Sequence, residues 1–183
     1  MTQYHNPVLL RSSLEGLNIK PDGVYVDVTF GGGGHSRAIL EKLNKNGRLF
    51  AFDQDPDAAV NIISDSRFEF IAANFSYLSQ YLKFYKTKSV DGILADFGVS
   101  SHQFNTSGRG FSIRKDGRLD MRMNQSQTLD AYKIVNEYEE EALSNIFFNY
   151  GELQNANSLA RSIAVARSEK ELVSTQDLIK VLI

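Results

Sequence analysis

Four consecutive glycines, Gly31–Gly34, stand within the segment Asp27–Ser36 (DVTFGGGGHS), which leads out of an apolar run. Glycine reaches positive φ and lets a backbone approach a ligand closely, because it has no Cβ. A helix that begins at these glycines adds free N–H groups and a partial positive charge. Asp53 follows Asp27 by 26 residues, close to the roughly 20-residue spacing at which an acid accepts hydrogen bonds from ribose hydroxyls. The combination predicts a site for a nucleoside-containing ligand, with a merely flexible turn as the competing interpretation.

The spacing of the loop narrows the type of ligand. A phosphate-binding loop is excluded because no Lys-Ser/Thr pair follows the glycines. Asp27, Gly31 and Gly33 form the pattern D-x-T-x-G-x-G. This pattern resembles the first motif of S-adenosylmethionine-dependent methyltransferases, with Thr29 where glycine is commoner. An NAD-dependent dehydrogenase remains an alternative, since it would use Asp53 in the same way.

A second acid, Asp96, ends the apolar segment Val90–Ala95 (VDGILA). In an open α/β sheet, ligands bind in the crevice at the carboxyl ends of the strands, where Asp96 is expected to lie. A turn or helix-capping acid is the competing interpretation. Ser100 and Ser101 have no His–Asp set placed for nucleophilic work, so a hydrolase triad is not expected.

The segment Arg109–Met123 (RGFSIRKDGRLDMRM) holds five basic residues against two acidic ones, in a chain whose formal net charge is −2. It also contains glycines and Phe111, which offers a stacking face. Such a segment suits a flexible nucleic-acid strand, and a solvated surface loop is the alternative. The basic residues are Arg109, Arg114, Lys115, Arg118 and Arg122.

The first part of the chain alternates short β-branched or aromatic runs with longer amphipathic ones, which predicts βαβ units and a parallel sheet. The fold class expected is α/β, a doubly wound, Rossmann-like sheet cut short at four strands, followed by a helical insertion. The expected strands are Val24–Val28, Leu49–Phe52, Phe68–Ala72 and Val90–Ala95. The expected helices are Pro7–Leu17, Arg37–Leu43, Asp57–Ile63 and Ser76–Tyr85.

From about Gln127 the apolar spacing becomes helical throughout. The two sets at this spacing are Leu143, Ile146, Phe147 and Tyr150, and Leu159, Ala160, Ile163 and Ala164. Ser174 with Asp177 predicts the capped start of a last helix. We therefore expect a sheet domain over residues 1–104 and a linker with a helical insertion over residues 105–183. The apolar ending DLIKVLI and the small number of strands favour a piece of a longer protein.

The amino-acid composition of the chain indicates the cellular compartment in which the protein is expected. The chain has 183 residues and no cysteine, which excludes thiolate chemistry and disulfides and fits a reducing compartment. The first ten residues lack the features of a secretory signal, and no apolar run approaches the ~20 residues of a membrane helix. A cytoplasmic protein without a membrane partner is expected.

Six segments together resemble the MraW (RsmH) family of bacterial methyltransferases, which modify the amino nitrogen at position 4 of a cytidine in small-subunit (16S) ribosomal RNA. They are Tyr4–Leu9, Thr29–Ser36, Asp53–Asp55, Asp91–Ser101 and Arg109–Ser112 with Leu119–Met123. The resemblance covers nearly the whole chain up to Met123 and is looser beyond it. A non-catalytic cofactor- or RNA-binding fragment and a DNA amino-methyltransferase remain alternatives, although the Pro-Pro motif of the DNA enzymes is missing here.

The resemblance implies S-adenosylmethionine as cofactor and the ribosomal RNA, or the assembled small subunit, as partner. It implies cofactor contacts from seven residues: Gly33, Gly34, His35, Asp53, Phe75, Asp96 and Gln103. Asp96 is also the candidate catalytic residue, as hydrogen-bond acceptor for the attacking amine, and the backbone around Phe97–Gly98 is the alternative acceptor. Arg109, Arg114, Arg118 and Arg122 are the candidate RNA-binding residues. No metal is expected, and a homodimer is left open.

Overall fold

The computed structural model describes residues 7–182. These residues form two compact units, one ending at Ser100 and the other beginning at Ser101. The boundary expected after residue 104 falls inside a short helix, Ser101–Asn105, of the second unit. Tyr4–Asn6, where the first family-like segment begins, lie outside the described residues.

The first unit is built on a four-stranded parallel sheet with the order β3-β2-β1-β4. The strands are β1 (Val24–Asp27), β2 (Arg48–Phe52), β3 (Phe68–Ile71) and β4 (Gly92–Leu94). The chain adds β2 and β3 on one side of β1 and then crosses to add β4 on the other. The Rossmann-like parallel sheet is therefore confirmed, and the point where the order reverses lies between β1 and β4.

Helices cover both faces of this sheet. On one face, Tyr25 and Leu49 pack with Ile39 and Leu40 of α2 (Gly34–Lys42), and α1 (Leu10–Leu17) joins the same cluster. On the other face, Val26 and Phe50 form part of a cluster that includes residues of α3 (Leu78–Phe84). Consecutive residues of a strand point to opposite faces, so apolar residues in both positions produce this two-sided core. Ile93 of β4 departs from the expected pattern, because it is 48% exposed.

The bounds of the expected helices differ from those in the structure, as where α2 begins at Gly34 rather than Arg37. The first begins at Leu10 rather than Pro7, because Leu9 adopts a left-handed conformation (φ 52°) that is incompatible with a continuous helix. The segment expected as a helix over Asp57–Ile63 is instead a 3₁₀ helix, Pro56–Asn61. A short connector of this kind commonly forms i→i+3 bonds, and the Asp55 carboxylate caps it by accepting from the N–H of Asp57 at 3.0 Å.

The second unit is helical from Ala131 onward. It contains α4 (Ser101–Asn105), α5 (Ala131–Glu137), α6 (Glu140–Asn149), α7 (Ala156–Glu169) and α8 (Thr175–Leu182). Its core combines apolar residues of α5, α6 and α7 with Leu119 and Leu172 from the connecting segments. Tyr150 was expected on the apolar face of α6, but it caps the end of that helix and is 86% exposed.

The capped start of α8 is confirmed. Asp177 accepts from the N–H groups of Val173 and Ser174 at 3.2 and 3.1 Å, and its own N–H donates to the Ser174 hydroxyl at 3.3 Å. These backbone donors lower the pKa of Asp177. An isolated antiparallel bridge between Arg118 and Ser174 ties this helix start to the basic segment.

Candidate functional site

The glycine loop joins β1 to α2 at the carboxyl edge of the sheet. Gly31 and Gly33 have positive φ values of 49° and 75°, which L-residues with a Cβ adopt only under strain. A Cβ on Gly33 would also lie 2.9 Å from the ring of Phe30. Gly33 occupies the position before α2. The glycine loop, which carries no side chains, therefore leads directly into the amino end of this helix.

Three side chains outside the loop hold its backbone. Asp53 Oδ2 accepts the N–H of Gly31 at 2.7 Å, and Asn61 Nδ2 donates to the Gly31 carbonyl at 3.0 Å. Arg37 Nη1 donates to the carbonyl of Gly32 at 2.7 Å. The loop is therefore shaped by defined contacts rather than left as a flexible turn. Asn61 and Arg37 were missed by sequence reasoning, because neither belongs to a motif and only the folded chain brings Asn61 to the loop.

Asp53 follows β2 and is half-buried. Its Oδ1 accepts the N–H of Asp55 at 2.9 Å, while Oδ2 is bound to Gly31. Burial raises the pKa of Asp53, and the backbone donors partly oppose this shift. Each carboxylate oxygen can accept more than one hydrogen bond, so both oxygens keep capacity for hydroxyl donors.

Asp27 supports the loop from below. This residue is fully buried at the end of β1, where it accepts from the Ser36 hydroxyl at 2.7 Å and from the N–H of Thr29 at 3.0 Å. Burial raises its pKa, and the bond from Ser36 opposes the shift. Asp27 thus links the strand before the loop to the helix after it.

His35, in the first turn of α2, is buried, and its Nε2 lies 3.2 Å from the carbonyl oxygen of Val8. Pro7 packs against Gly34, where a Cβ would overlap the proline ring. The side chain of His35 therefore faces the N-terminal segment. Contact between Gly34 or His35 and a ligand would therefore come from the backbone.

Asp96 lies just beyond β4, on the carboxyl edge of the strand that neighbours β1. Its backbone N–H donates to the hydroxyl of Thr29 at 2.8 Å, so the segments that follow the two strands are tied together. Asp96 itself is exposed. Thr29, which stands where the methyltransferase motif commonly has glycine, thereby contributes a hydrogen bond that glycine could not make.

Two aromatic rings meet in the first unit, although they follow strands at opposite edges of the sheet. Phe75 begins the 3₁₀ helix after β3, and Phe97 follows β4. Their ring centroids are 5.6 Å apart with an interplanar angle of 44°. Phe75 is 40% exposed and Phe97 71%. Phe75 was expected to contact the cofactor, whereas no role was expected for the side chain of Phe97.

Gln103, the last expected cofactor residue, belongs to α4 of the second unit, where it is buried. The other expected cofactor residues lie in the first unit. Gly33, Gly34 and His35 form the loop and helix start, while Asp53, Phe75 and Asp96 follow β2, β3 and β4.

The basic segment is more structured than a solvated loop. Arg109 is only 3% exposed, and its guanidinium donates to the carbonyls of Arg122 and Met123 at 2.9 and 3.3 Å. Arg122 Nε donates to Asp120 at 2.9 Å and lowers the pKa of that carboxyl. These contacts hold Met121 in a left-handed conformation, φ 57°. The Arg109 side chain therefore shapes this segment, and the nucleic-acid contact expected from it stays a prediction.

The remaining two arginines differ in their surroundings. Arg118 Nη2 donates to Asp130 at 2.7 Å and its guanidinium lies over the ring of Tyr132. Arg114 is exposed, and within residues 7–182 its guanidinium makes no hydrogen bond or ion pair. Of the four candidate arginines, Arg114 is thus the one whose charge is best placed to meet an external anion.

Residues 7–182 hold neither a metal-binding cluster nor a membrane-spanning helix. Over residues 7–182, no cluster of His, Asp and Glu side chains is arranged to hold a metal ion. In the same part of the chain, none of the helices combines the length and apolar character needed to cross a membrane.

The chain is similar to known proteins over nearly its whole length. Residues 2–183 match the model of the MraW methylase family. The ribosomal RNA small subunit methyltransferase H of Flavobacterium johnsoniae is 58% identical over 180 residues, and that of Christiangramia forsetii 56% over 178 residues. These alignments cover 98% and 97% of the chain but only 60% and 59% of the two relatives.

Proposed function

The chain belongs to the MraW methylase family, and we propose that the full-length protein transfers a methyl group from S-adenosylmethionine to small-subunit ribosomal RNA. The chain spans about 60% of the length of the curated relatives that it matches. We use "full-length protein" for a protein of the relatives' length that contains this chain. The target atom that we propose is the amino nitrogen at position 4 of a cytidine. The reaction would take place in the cytoplasm, with no membrane partner.

One observation carries the proposal: the clamped glycine loop after β1 and the half-buried Asp53 after β2 lie side by side at the carboxyl edge of the sheet. Asp53 retains acceptor capacity for ribose hydroxyls, and the loop offers backbone without side chains. The exposed face of Phe75 suits a purine ring. No Lys-Ser/Thr pair follows the loop, which agrees with a cofactor that carries no phosphate. The residues present thus fit an adenosyl group.

When bound, S-adenosylmethionine supplies a methyl carbon activated by the neighbouring sulfonium. The protein's part is to hold the two reactants in line, since correct positioning can contribute most of the acceleration. Asp53 would bind the ribose hydroxyls, Phe75 the adenine, and the loop backbone the methionyl part. Gln103 is a further proposed cofactor contact.

Asp96 is the proposed catalytic residue. The lone pair of a cytosine amine is delocalised into the ring, which makes the nitrogen a poor nucleophile. A carboxylate oxygen of Asp96 that accepts one N–H of the amine would localise that lone pair and take up the proton released later. The exposure of Asp96 beside the glycine loop supports this role. Asp96→Asn should lower kcat more than it weakens cofactor binding.

We propose that the second unit contributes RNA contacts, with Arg114 as the first residue to test. The network around Arg109, Asp120 and Arg122 would give the basic segment a fixed shape, so that binding does not have to order it. This assignment is independent of the number of subunits, and a homodimer would be tested separately by light scattering.

The deciding experiment measures transfer of a labelled methyl group by the full-length protein to small ribosomal subunits from cells that lack it. Incorporation at a cytidine amine, located by mass spectrometry of the digested RNA, supports the proposal. Binding of S-adenosylmethionine without transfer would favour a non-catalytic cofactor-binding protein. Stabilisation by NAD but not by S-adenosylmethionine in a thermal shift comparison would favour a dehydrogenase, and transfer to DNA alone a DNA amino-methyltransferase.

A further inference from the structure

Phe97 is a large apolar side chain left exposed beside the proposed catalytic residue. It is 71% exposed, and its neighbour Val99 is 45% exposed. Single exposed apolar residues are ordinary on protein surfaces, but adjoining ones mark binding sites. The ring of Phe97 contacts that of the half-exposed Phe75, and both residues follow strands at the edge of the sheet where the glycine loop lies. Phe97 is thus an exposed ring next to residues of the proposed site.

The backbone around Phe97 is fixed in place. Asp96 donates its N–H to Thr29 at 2.8 Å, which anchors the residue before Phe97 to the loop after β1. Gly98, the residue after it, has φ 139°, a conformation that side-chain-bearing residues rarely adopt. The backbone before Phe97 is thus anchored by a hydrogen bond, and the residue after it has a conformation that suits glycine.

The geometry of the Phe75 and Phe97 rings indicates that each ring would stack on a different ligand group. A planar group inserted between two aromatic rings needs their planes roughly 7 Å apart, since each carbon–carbon contact takes 3.5–4.0 Å. The centroids of Phe75 and Phe97 are 5.6 Å apart and the rings are tilted by 44°. In this arrangement the rings contact each other directly and do not clamp one ligand between them. Each ring keeps a face for a partner of its own.

We propose that Phe97 is the stacking surface for the target nucleobase, and that Phe75 serves the adenine of the cofactor. This inference rests on the proposed function. Asp96 and Phe97 are neighbours, with Cα atoms about 3.8 Å apart, and the proposal requires the exocyclic amine of a base stacked on Phe97 to reach the Asp96 carboxylate. The two contacting rings would then place the adenine of the methyl donor and the nucleobase that receives the methyl group next to each other. Phe97 acts here by positioning the substrate.

The test compares three variants of the full-length protein, Phe97→Ala, Phe97→Leu and Phe97→Trp. The readouts are KM for unmodified small ribosomal subunits and Kd for S-adenosylmethionine by calorimetry. Stacking of a base on an aromatic side chain is worth 1–3 kcal/mol, which corresponds to about 5- to 150-fold. We expect the Ala and Leu variants to raise KM by about tenfold or more with cofactor Kd changed less than twofold. The Trp variant should retain a KM close to that of the wild type.

Two further variants serve as controls. Phe75→Ala should show the opposite pattern: the Kd for S-adenosylmethionine should rise, while KM for the ribosomal subunits should change less. Phe84→Ala removes a ring that is 76% exposed on α3 and packs edge-on against Tyr85, and it should change neither quantity.

Three results would overturn the inference. A wild-type KM in Phe97→Leu would mean that only apolar bulk is needed. An equal loss of cofactor affinity in Phe97→Ala and Phe75→Ala would place Phe97 in the cofactor site. A fall in melting temperature of about 5 °C or more in Phe97→Ala, as for a truncated core residue, would mark it as a packing residue. An inactive wild-type protein would instead contradict the proposed function itself, so the two failures are distinguishable.

Discussion

Gly31 donates its backbone N–H to Oδ2 of Asp53 at 2.7 Å, across 22 residues of sequence. The acid after β2 therefore shapes the loop after β1, in addition to its proposed role at the ribose. Because the two strands are parallel neighbours, their carboxyl ends meet at the same edge and bring these residues together. A change at Asp53 should consequently act on loop geometry and on ligand binding together.

Gly33→Ala tests the left-handed turn of the loop. The substitution places a Cβ on a residue with φ 75°, 2.9 Å from the ring of Phe30. The left-handed conformation alone costs a residue with a Cβ about 1–2 kcal/mol, so the free energy of unfolding should fall by at least that amount in urea titrations. Gly108→Ala is the matched control, since a Cβ there has open space. Equal losses in the two variants would contradict the assignment.

Asp53→Asn tests the ribose contact and its pH dependence. Charge-assisted hydrogen bonds are worth about 1.5–3 kcal/mol, so the Kd for S-adenosylmethionine should rise by about tenfold or more in calorimetry at neutral pH. The ionised carboxylate is the better acceptor, and burial raises the pKa of Asp53. Affinity in the wild type should therefore fall as the pH drops through that raised pKa.

The Asp53→Asn variant should lose this pH step, because its amide does not titrate. Asp22→Asn is the control, as Asp22 precedes β1 and lies at the other end of the strand, where it accepts from Asn46. An unchanged Kd in Asp53→Asn would remove the ribose assignment.

Arg114→Ala and Arg109→Ala should separate a nucleic-acid contact from a structural one. Loss of a phosphate contact by Arg114 should reduce the slope of log K against log salt by about 0.7 for single-stranded RNA, without lowering the melting temperature. Arg109 is buried and holds two backbone carbonyls, so its removal should lower the melting temperature. Filter binding of RNA over a series of salt concentrations supplies the slopes. A wild-type slope in Arg114→Ala would show that the basic segment does not contact phosphate through it.

Asp27→Asn tests the buried carboxyl below the loop. Burial raises the folded-state pKa of Asp27, so between the unfolded and folded values the native state holds more protons than the unfolded chain. Its contribution to stability therefore declines as the pH rises through the folded pKa. The asparagine variant should be at least as stable as the wild type at pH 7, with a weaker dependence on pH in urea titrations between pH 4 and 7.

Asp91→Asn provides a control of opposite sign. The hydrogen bond from Lys20 lowers the pKa of Asp91, so its contribution is present above the unfolded value and is lost as the pH falls through the folded pKa. The two variants should therefore change the pH profile of stability in opposite directions. A common direction would contradict the assignment for Asp27.

Sequence reasoning was most successful where one physical cause dominated. Apolar residues at both faces of short strands, such as Val26 and Leu49, identified a covered parallel sheet. The reciprocal spacing of Ser174 and Asp177 identified a helix start. It failed where conformations depend on contacts from elsewhere, as at Leu9, whose left-handed backbone delays α1, and at Tyr150, which ends α6 exposed although its spacing fits the apolar face.

The amino-acid sequence by itself determined the alternation of strands and helices, the glycine loop and the acids that end the neighbouring strands, because these follow from local periodicity and from residue types. Only the tertiary structure decided that Asn61 and Arg37 hold the loop, that Arg109 is buried while Arg114 is not, and that Phe75 meets Phe97. Each of these depends on side chains brought together by strand order and packing over up to 30 residues of separation. Such contacts have no periodicity to reveal them, because their energy arises only after the chain has folded.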